Sequence, residues 1–324
     1  MQTNLNIQVL RGIAILSVLA FHAKSDFFPN GYLGVDIFFF ISGYLVIPKM
    51  INAIDTNSLK LFYVKRFYRL APALLFTIVL TFPLILVFGS WKSHQDFIFQ
   101  SIWTLLLMGN IGAILVTGNY FEPDSFLPMV HTWSLAVEEQ IYLLLPLAIK
   151  FKTALLPALS GMSFLLYIFQ DMFGESTSNA LFYFFISRIW EFHVGFLVAK
   201  TKRSLKTINI WFGHLIVGFS LLFLLFPGLW NRNLGTVTSL VVASCFILCK
   251  PLYGWHIKLL KYIGDRAYSL YLFHMPLLYL AKYSPLIYGD NRSIFSFMAV
   301  GLTLLLAEVS YRKIEFIMKS KIPR

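Results

Sequence analysis

Residues 71–89 read APALLFTIVLTFPLILVFG and contain no charged side chain. A helix of this length rises about 28 Å, close to the ~30 Å hydrocarbon core of a bilayer. Apolar runs of similar length recur along the whole chain, so the sequence predicts an all-α integral membrane protein with about ten transmembrane helices. The other nine runs lie near residues 7–23, 31–50, 133–149, 153–170, 180–199, 208–226, 235–250, 267–283 and 293–311.

The composition of the 324 residues supports this interpretation. Hydrophobic residues make up 58% and charged residues 13%, with a mean hydropathy of +0.71, whereas about a quarter of an ordinary soluble domain is charged. The net charge of +12 would suit a nucleic-acid-binding protein. However, the chain carries no basic run, zinc-finger or helix-turn-helix signature of that class.

A further run at 97–117 is interrupted by polar residues and glycines. If it does not cross and the N-terminus is cytoplasmic, 21 of the 27 Lys and Arg residues face the cytoplasm, as the positive-inside rule requires. If it crossed, every later loop would change sides and the basic C-terminus would face outward. We therefore predict ten spans, both termini cytoplasmic, and a re-entrant or interfacial segment near 97–117. The positive charge then reflects topology, and we expect membrane lipids but no nucleic acid as partners.

The pieces between the predicted spans are short. The longest are 51–70 on the inside and about 90–132 on the outside, and neither is large enough for an independent domain. We therefore expect a single transmembrane domain over 1–324, without a soluble C-terminal domain.

Ionisable side chains within spans are costly, so each is a candidate functional residue. Arg11 and His22 are eleven residues apart, close to three helical turns, and share one face of the first helix. Asp36 lies about one and a half turns into the second helix, which enters from the outside. Asp36 could equally be the ion-pair partner of Arg11 or Arg188, and Arg188 and Glu191 are spaced to neutralise each other.

The fourth predicted span carries polar side chains at a 3-4-4 spacing on one face. They are His131, Ser134, Glu138 and Tyr142. Because this face begins at the outer surface, His131 and Glu138 are predicted to lie at the depth of His22 and Asp36. A histidine with nearby carboxylates can remove a proton from a hydroxyl. In the structural alternative the histidines are interfacial, and Glu138 and Glu139 cap the outer end of the fourth span.

Two further features have alternative interpretations. The stretch Phe62–Leu70 interleaves aromatic and basic residues ahead of the third span. It is typical of an amphipathic helix at anionic lipid headgroups, or of a site where Arg forks hold phosphate oxygens. His274 either lines a cavity or bonds a carbonyl freed by Pro276.

Taken in order, these motifs resemble those of acyltransferase family 3, bacterial membrane enzymes that O-acylate carbohydrates. The resemblance covers nearly the whole chain and is strongest over residues 10–150. The matching motifs are Arg11-Gly12 with His22, Gly31–Phe39, Ile41–Leu45, Ser58-Leu59 with Phe62-Tyr63, Arg66, Arg69 and Pro72–Leu74, His131–Gln140 with Tyr142, and, more weakly, Tyr268–Pro276.

The resemblance implies transfer of an acyl group, acetyl by default, from cytoplasmic acyl-CoA to a hydroxyl of an extracytoplasmic or lipid-linked carbohydrate, such as an O-antigen or exopolysaccharide. The enzyme would lie in the bacterial cytoplasmic (inner) membrane. Acetyl-CoA would be a donor substrate, with no permanently bound cofactor and no metal. By motif, Arg11 and His22 would be essential, His22 as base or transient acyl carrier. Arg66 and Arg69 would hold the CoA phosphates, and Glu138 would shape the active site.

The spacing and the resemblance together give one set of candidate site residues. Lys65 stands where the family often has Arg, and Glu315 lacks the proline that usually follows it, so Glu315 is left out. The catalytic candidates are His22, Asp36 and Glu138, and the substrate- or donor-binding candidates are Arg11, Arg66, Arg69, His131, Tyr142 and His274.

The competing function is a transporter or flippase of a lipid-linked saccharide, which would also need buried polar groups. Such proteins often contain inverted repeats and paired broken helices, and neither is visible in this sequence. An acyltransferase is therefore the favoured interpretation.

Overall fold

The computed structural model describes residues 5–117, 120–121, 126–150, 155–201, 209–225, 232–287 and 291–321, which form helices and no β-strand. Short 3-10 helices precede α6 (Val130–Thr132) and α9 (Phe185–Arg188), and the π-helix Ser310–Glu315 joins α14 to α15. The α-helices are α1 (Leu5–Ala23), α2 (Leu33–Asp55), α3 (Leu59–Phe88), α4 (Trp91–Leu105), α5 (Gly109–Val116), α6 (Trp133–Lys150), α7 (Leu155–Phe169), α8 (Glu175–Tyr183), α9 (Ile189–Thr201), α10 (Ile210–Leu225), α11 (Arg232–Leu248), α12 (Trp255–Asp265), α13 (Ala267–Tyr283), α14 (Asn291–Val309) and α15 (Phe316–Ser320).

Within these residues, five helical stretches are long and apolar enough to cross a membrane, or six if the broken pair Glu175–Tyr183 and Phe185–Thr201 is one span. An all-helical chain with several candidate spans is thus confirmed, but ten spans are not. One reason is length: α10, α11 and α13 have 16, 17 and 17 residues, short of the ~20 that a span needs. Parts of the predicted runs 153–170 and 208–226 lie outside the described residues. The five stretches are Leu5–Ala23, Leu33–Asp55, Leu59–Phe88, Leu155–Phe173 and Arg292–Met318.

The chain divides into two compact units, each with its own buried apolar core. Unit 1 comprises Met1–Ile51, Leu147–Ile168 and Ser187–Ala267. Unit 2 comprises Asn52–Pro146, Phe169–Ile186 and Tyr268–Arg324.

Helices of unit 1 approach each other closely at glycines. A β-carbon on Gly43 of α2 would lie 1.9 Å from the carbonyl oxygen of Phe192 in α9. In return, a β-carbon on Gly195 of α9 would lie 2.0 Å from the carbonyl oxygen of Phe40 in α2. The backbone of each helix therefore occupies the space that a side chain would need, as is common where membrane helices pack through small residues.

Glycines also fix how α1 and α2 run against each other in unit 1. A β-carbon on Gly31 would lie 2.2 Å from the carbonyl oxygen of Ser17, and one on Gly34 would lie 2.3 Å from that of Ala14. As the residue numbers rise from Gly31 to Gly34, the neighbouring residue in α1 falls from Ser17 to Ala14. The two helices are antiparallel, with Gly34 beside Ala14.

The long helix α3 organises unit 2. The sequence predicts an inside piece at 51–70 followed by a span at 71–89, but the structure corrects this boundary: α2 runs to Asp55 and α3 already begins at Leu59. α3 has 30 residues, a rise of about 45 Å. The stretch Phe62–Leu70 is therefore the first part of the helix that contains the apolar run, and not a separate amphipathic helix.

Helix α6 lies antiparallel to the first half of α3. The Tyr63 hydroxyl donates to the carbonyl oxygen of Tyr142 at 2.9 Å, and Leu74 shares a buried core with Leu135. Leu74 is near the middle of α3, and Leu135 is in the first turn of α6. α6 therefore begins beside the middle of α3.

The segment 97–117 forms a helical hairpin. α4 and α5 are joined at Leu106–Met108, where Leu107 has a φ of 59°, and a β-carbon on Gly112 would lie only 2.8 Å from the Trp103 β-carbon. With 15 and 8 residues, the two helices rise about 22 and 12 Å, too little for either to cross alone.

The hairpin returns along α3. Phe97 near the start of α4 packs with Ile85 near the end of α3, whereas Leu105 at the end of α4 lines a cavity together with Leu75 in the middle of α3. A chain that goes to mid-helix depth and turns back has the geometry of a re-entrant segment, which is one of the two predicted alternatives.

Two of the polar residues that interrupt this segment in the sequence, Gln100 and Asn110, bond to other parts of unit 2. Gln100 Oε1 accepts from the Met129 amide at 2.7 Å. Asn110 Nδ2 donates to Gln140 Oε1 at 3.0 Å, and Gln140 Nε2 donates to Asn110 Oδ1 at 2.8 Å. A segment with irregular backbone at membrane depth needs its polar groups to be hydrogen-bonded within the protein.

The close approach at Gly43 leads to a stability prediction. Gly43→Ala should destabilise the protein by about 1–3 kcal/mol, because the new methyl group meets rigid helix backbone. We expect a lower melting temperature in detergent, measured by the loss of monodisperse protein after heating. The matched control is Gly161→Ala in α7, where a β-carbon meets nothing within 4 Å; equal melting temperatures for the two variants would contradict the prediction.

Candidate active site

Helices α3 and α6 bring three charged side chains together in unit 2. Arg66 donates from Nε to Glu139 Oε1 at 2.7 Å, and its Nη2 lies 2.6 Å from the same oxygen. Arg66 Nη2 also lies 3.3 Å from Glu138 Oε1. The side chains are 11%, 13% and 22% exposed for Arg66, Glu139 and Glu138. Because charges lose most of their hydration in such a site, the two carboxylates stabilise the guanidinium where it lies.

Two tyrosines complete this cluster. The Tyr142 hydroxyl donates to Glu138 Oε1 at 2.6 Å, so the predicted common face of Glu138 and Tyr142 is confirmed. The Arg66 guanidinium carbon lies 3.8 Å from the centroid of the Tyr142 ring, a favourable cation–π geometry. The backbone of Tyr142 is in turn held by the Tyr63 hydroxyl.

The contact between Arg66 and Glu138 shows that their predicted separation by depth is wrong. The sequence placed the arginines near the cytoplasm and Glu138 in the outer half of the membrane. That prediction counted residues from helix ends, but α6 begins beside the middle of α3 and not at its far end. Arg66 is therefore engaged by carboxylates, whereas Arg69, about one turn further along α3, is exposed.

A cavity of about 370 Å³ opens beside this cluster in unit 2. Its size falls in the range of small-molecule sites. Arg66, Glu139 and Tyr63 form its polar edge, and most of the remaining wall is leucine from α3, α6 and the α4–α5 hairpin. The lining residues are Tyr63, Arg66, Phe67, Leu70, Ala71, Leu74, Leu75, Leu105, Leu107, Leu135, Glu139 and Leu143.

Two of the candidate histidines pack against each other in unit 2. The rings of His131 and His274 have centroids 5.1 Å apart, and both rings also contact Tyr271. The Tyr271 hydroxyl donates to the carbonyl oxygen of His131 at 2.6 Å and lies 2.7 Å from Ser134 Oγ. His131 and His274 are 1% and 0% exposed. His131 thus pairs with His274 of the ninth predicted span. His131 itself lies about two helical turns from Glu138.

His274 bonds a backbone carbonyl, but not the one that its second predicted alternative named. Its Nδ1 lies 2.6 Å from the carbonyl oxygen of Tyr271. A carbonyl only accepts hydrogen bonds, so Nδ1 carries the proton. Pro276 frees the carbonyl four residues earlier, at Leu272, so the partner of His274 is the carbonyl one residue before the expected one.

Asp36 belongs to a second arginine cluster, in unit 1. Arg188 Nη1 lies 3.2 Å from Asp36 Oδ1 and 3.0 Å from Glu191 Oε1. The Thr236 hydroxyl donates to Asp36 Oδ2 at 2.8 Å, and the guanidinium carbon of Arg188 lies 5.0 Å from the Tyr167 ring centroid. Of the alternatives for Asp36, the structure shows the ion pair with Arg188, and the predicted pair of Arg188 with Glu191 is confirmed.

His22 and Asp36 do not share the level that the sequence predicts. α1 and α2 are antiparallel with Gly34 beside Ala14. Asp36 lies two residues beyond Gly34, and His22 lies eight residues beyond Ala14 in the opposite direction, so their levels differ by about 15 Å. The expectation failed because it assumed that α2 begins at the level where α1 ends, whereas Gly31, just before α2, already lies beside Ser17.

The other residues of α1 have their own local surroundings. His22 is buried, with its ring edge-on to Phe21 at 5.2 Å. Arg11, at the other end of the predicted stripe, donates to Gln8 Oε1 at 3.3 Å.

Comparison with known proteins identifies the family. The chain matches the Acyl_transf_3 acyltransferase domain over residues 4–312. The chain belongs to this family. It is similar to the O-acetyltransferase OatA of Staphylococcus aureus strains NCTC 8325 / PS 47 and COL, with 30% identity over 355 aligned positions, 96% of this chain and 56% of the relative. A putative O-acetyltransferase of strain COL is also 30% identical, over 94% of this chain and 56% of its own length.

The chain therefore spans little more than half the length of the curated relatives that it matches. No solved structure matches it. The family match includes all nine candidate site residues and favours the acyltransferase over the alternative transporter. Within the described ranges, no group of three or more His, Cys, Asp or Glu side chains could hold a metal ion.

Sequence reasoning about this chain missed three residues that build the cluster and the histidine pair. Glu139 makes the shorter contact to Arg66, although the sequence analysis singled out only its neighbour Glu138. Tyr63 and Tyr271 hold the backbone of Tyr142 and His131. The signals were present, because Glu139, Tyr63 and Tyr271 all stand within the quoted family motifs.

The cluster around Arg66 leads to a second stability prediction. Arg66→Ala would leave Glu138 and Glu139 buried without their cation, and removing one partner of a buried pair costs about 3–5 kcal/mol. We expect a clear loss of stability in thermal unfolding, partly recovered by adding Glu139→Gln. The exposed Arg69→Ala is the control and should be neutral. Equal stability of the two single variants would show that the cluster does not support the fold.

Proposed function

We propose that this chain is an O-acetyltransferase that moves an acetyl group from acetyl-CoA, supplied by the cytoplasm, to a hydroxyl of an extracytoplasmic or lipid-linked carbohydrate. The observation that carries the proposal is the cavity beside Arg66 and Glu139 in a chain of an acyltransferase family. The names of the relatives support acyl transfer to oxygen. The donor, the acceptor and the direction are our inference.

The size and the lining of the cavity suit the arm of a CoA thioester. The leucine wall would accept the methylene groups and the acyl end, and the polar edge would accept amide groups of the arm. Of the two predicted phosphate-binding residues, Arg69 is exposed on α3 and suits the phosphate oxygens. We assign Arg66 to the polar edge, since its guanidinium is held by two carboxylates.

The proposed chemistry follows acyl transfer by general-base catalysis. The acceptor oxygen attacks the thioester carbonyl carbon, the carbon–sulfur bond breaks, and CoA leaves as the thiol. On the motif that it shares with the family, we assign His22 to take the hydroxyl proton and return it to the sulfur, or to carry the acyl group in a first step. Asp36 remains a catalytic candidate, and Glu138 a catalytic candidate that shapes the site. The remaining candidates for binding are Arg11, His131, Tyr142 and His274.

The proposed arrangement in the bacterial cytoplasmic membrane has ten spans and both termini inside. The charge partition and the non-crossing shape of the α4–α5 hairpin support it. This arrangement places the segment around Asp26 outside and the turn around Thr56 inside.

The topology can be tested by cysteine labelling. In a cysteine-free variant, Asp26→Cys should react with a membrane-impermeant maleimide in intact cells. Thr56→Cys, Thr201→Cys and Lys321→Cys should react only after permeabilisation, because all three lie on the basic side. If Thr201 and Lys321 were labelled in intact cells while Thr56 was not, the segment 97–117 would cross the membrane and the proposed topology would fail.

The activity can be tested with labelled acetyl-CoA and a polysaccharide fraction from the host. We expect O-acetylated saccharide by mass spectrometry from the wild type. His22→Ala and His22→Gln should lose about 10²–10⁴-fold in single-turnover rate, the usual contribution of a general base.

The control for this experiment is His214→Gln, a half-buried histidine of α10 outside the proposed site. Thermal unfolding should show that all variants fold. Near-normal turnover in both His22 variants would remove His22 from the chemistry and make His131 or His274 the next candidate. A wild type that transfers no acetyl group to saccharide would refute the proposed function itself.

A further inference from the structure

Unit 2 contains a second cavity that differs in chemistry from the leucine-lined one. It lies between the C-terminal end of α5 and helix α8 and has a volume of about 330 Å³, again in the range of small-molecule sites. The lining residues are Ile114, Thr117, Glu175, Ser176, Asn179, Ala180 and Tyr183.

The side chains on the open part of this cavity are suited to a ligand rich in hydroxyl groups. Glu175 offers acceptors, Ser176 offers a donor and acceptors, and Asn179 offers two donors and an acceptor. Glu175 and Ser176 are exposed, and Asn179 is half-buried. No cation occurs among the described residues of the lining, so the cavity favours a neutral polar molecule over a phosphate or a CoA.

The floor of the cavity is fixed by hydrogen bonds within unit 2. The Thr117 and Tyr183 hydroxyl oxygens are 2.9 Å apart, and the Thr117 hydroxyl donates to the carbonyl oxygen of Ala113 at 2.7 Å. Asn110 Nδ2 donates to the carbonyl oxygen of Tyr183 at 3.3 Å. A floor held in one conformation lowers the entropy that a bound ligand would have to remove.

We propose that this polar cavity is a binding subsite for the saccharide acceptor, with Glu175, Ser176 and Asn179 contacting sugar hydroxyls. The proposal rests on the proposed function and topology, in which the end of α5 and the start of α8 face the side that carries the saccharide. The donor and the acceptor would then use chemically distinct cavities, one leucine-lined with an arginine at its edge and one polar without a cation. The two cavities share the α4–α5 hairpin, since Leu105 and Leu107 line the first and Ile114 and Thr117 the second.

The subsite can be tested by direct binding, without catalysis. Saturation-transfer NMR would measure contact of maltotriose and chitotriose with the protein in lipid nanodiscs, which avoids sugar-based detergents. We expect a signal for at least one of these neutral oligosaccharides. Asn179→Ala and the double variant Glu175→Gln/Ser176→Ala should weaken binding about three- to tenfold for each lost hydrogen bond.

Thr177→Ala is the matched control, because Thr177 is exposed on the same helix and does not line the cavity. In the acetyl-transfer assay, the cavity variants should raise the KM for the saccharide and leave the KM for acetyl-CoA and the melting temperature unchanged. Absence of binding by the wild type, or equal binding by the cavity variants and Thr177→Ala, would overturn the subsite. Saccharide binding that depends on the cavity, in a protein that transfers no acetyl group, would support the subsite and refute the proposed function.

Discussion

A charge in a protein interior surrounded by lipid has to be neutralised where it lies, because water is not available to do so. In each unit a buried arginine meets this requirement in the same way: its guanidinium contacts two carboxylates and faces a tyrosine ring. The shared composition indicates that each cluster is part of the framework of its unit. The partners are Glu138, Glu139 and Tyr142 for Arg66, and Asp36, Glu191 and Tyr167 for Arg188.

In unit 2 the arginine cluster sets the register of the helices that form the candidate site. Arg66 reaches its carboxylates only if α6 begins beside the middle of α3, and this register also joins Tyr63 to the Tyr142 backbone. This register also positions the α4–α5 hairpin, because Gln140, one residue after Glu139, bonds to Asn110 in α5. The turn of the hairpin is thereby held beside α3, where it closes one side of the leucine-lined cavity. The pairing of Arg66 with its two carboxylates thus determines where the leucine-lined cavity, the proposed donor site, forms.

The sequence predicted an all-helical chain with several apolar spans, and a segment near 97–117 that does not cross, because both depend on local properties. Apolar length indicates helices in a membrane, and Gln100 and Asn110 disqualify 97–117 as a span whatever their partners are. The depth of a residue in the membrane depends instead on how the helices pack. The sequence prediction measured depth from the end of each apolar run. In the structure, however, α3 starts twelve residues before its run, and α6 starts beside the middle of α3.

Ion-pair partners are equally beyond local reasoning. An ion pair was one of the two sequence interpretations of Asp36, and it left Arg11 and Arg188 as alternative partners. The choice depends on how α2 packs on α9, which Gly43 and Gly195 decide through backbone contact. Two glycines far apart in the chain therefore settle which of two arginines a carboxylate meets. Tyr142 was named as a site residue, but its contact with Arg66, like that of Tyr167 with Arg188, was missed for the same reason.

The two adjacent acids of α6 are not equivalent, and the difference bears on which one takes part in chemistry. Glu139 binds Arg66 through two short contacts at one oxygen, so its charge is committed to neutralising the guanidinium. Glu138 is more exposed, lies further from Arg66 and accepts from the Tyr142 hydroxyl. Arg66 therefore contacts both carboxylates, but it holds Glu139 more closely than Glu138. A carboxylate that is oriented by a tyrosine, and that holds the arginine through one longer contact, is better placed to interact with a substrate, and this favours Glu138 over Glu139 for that role.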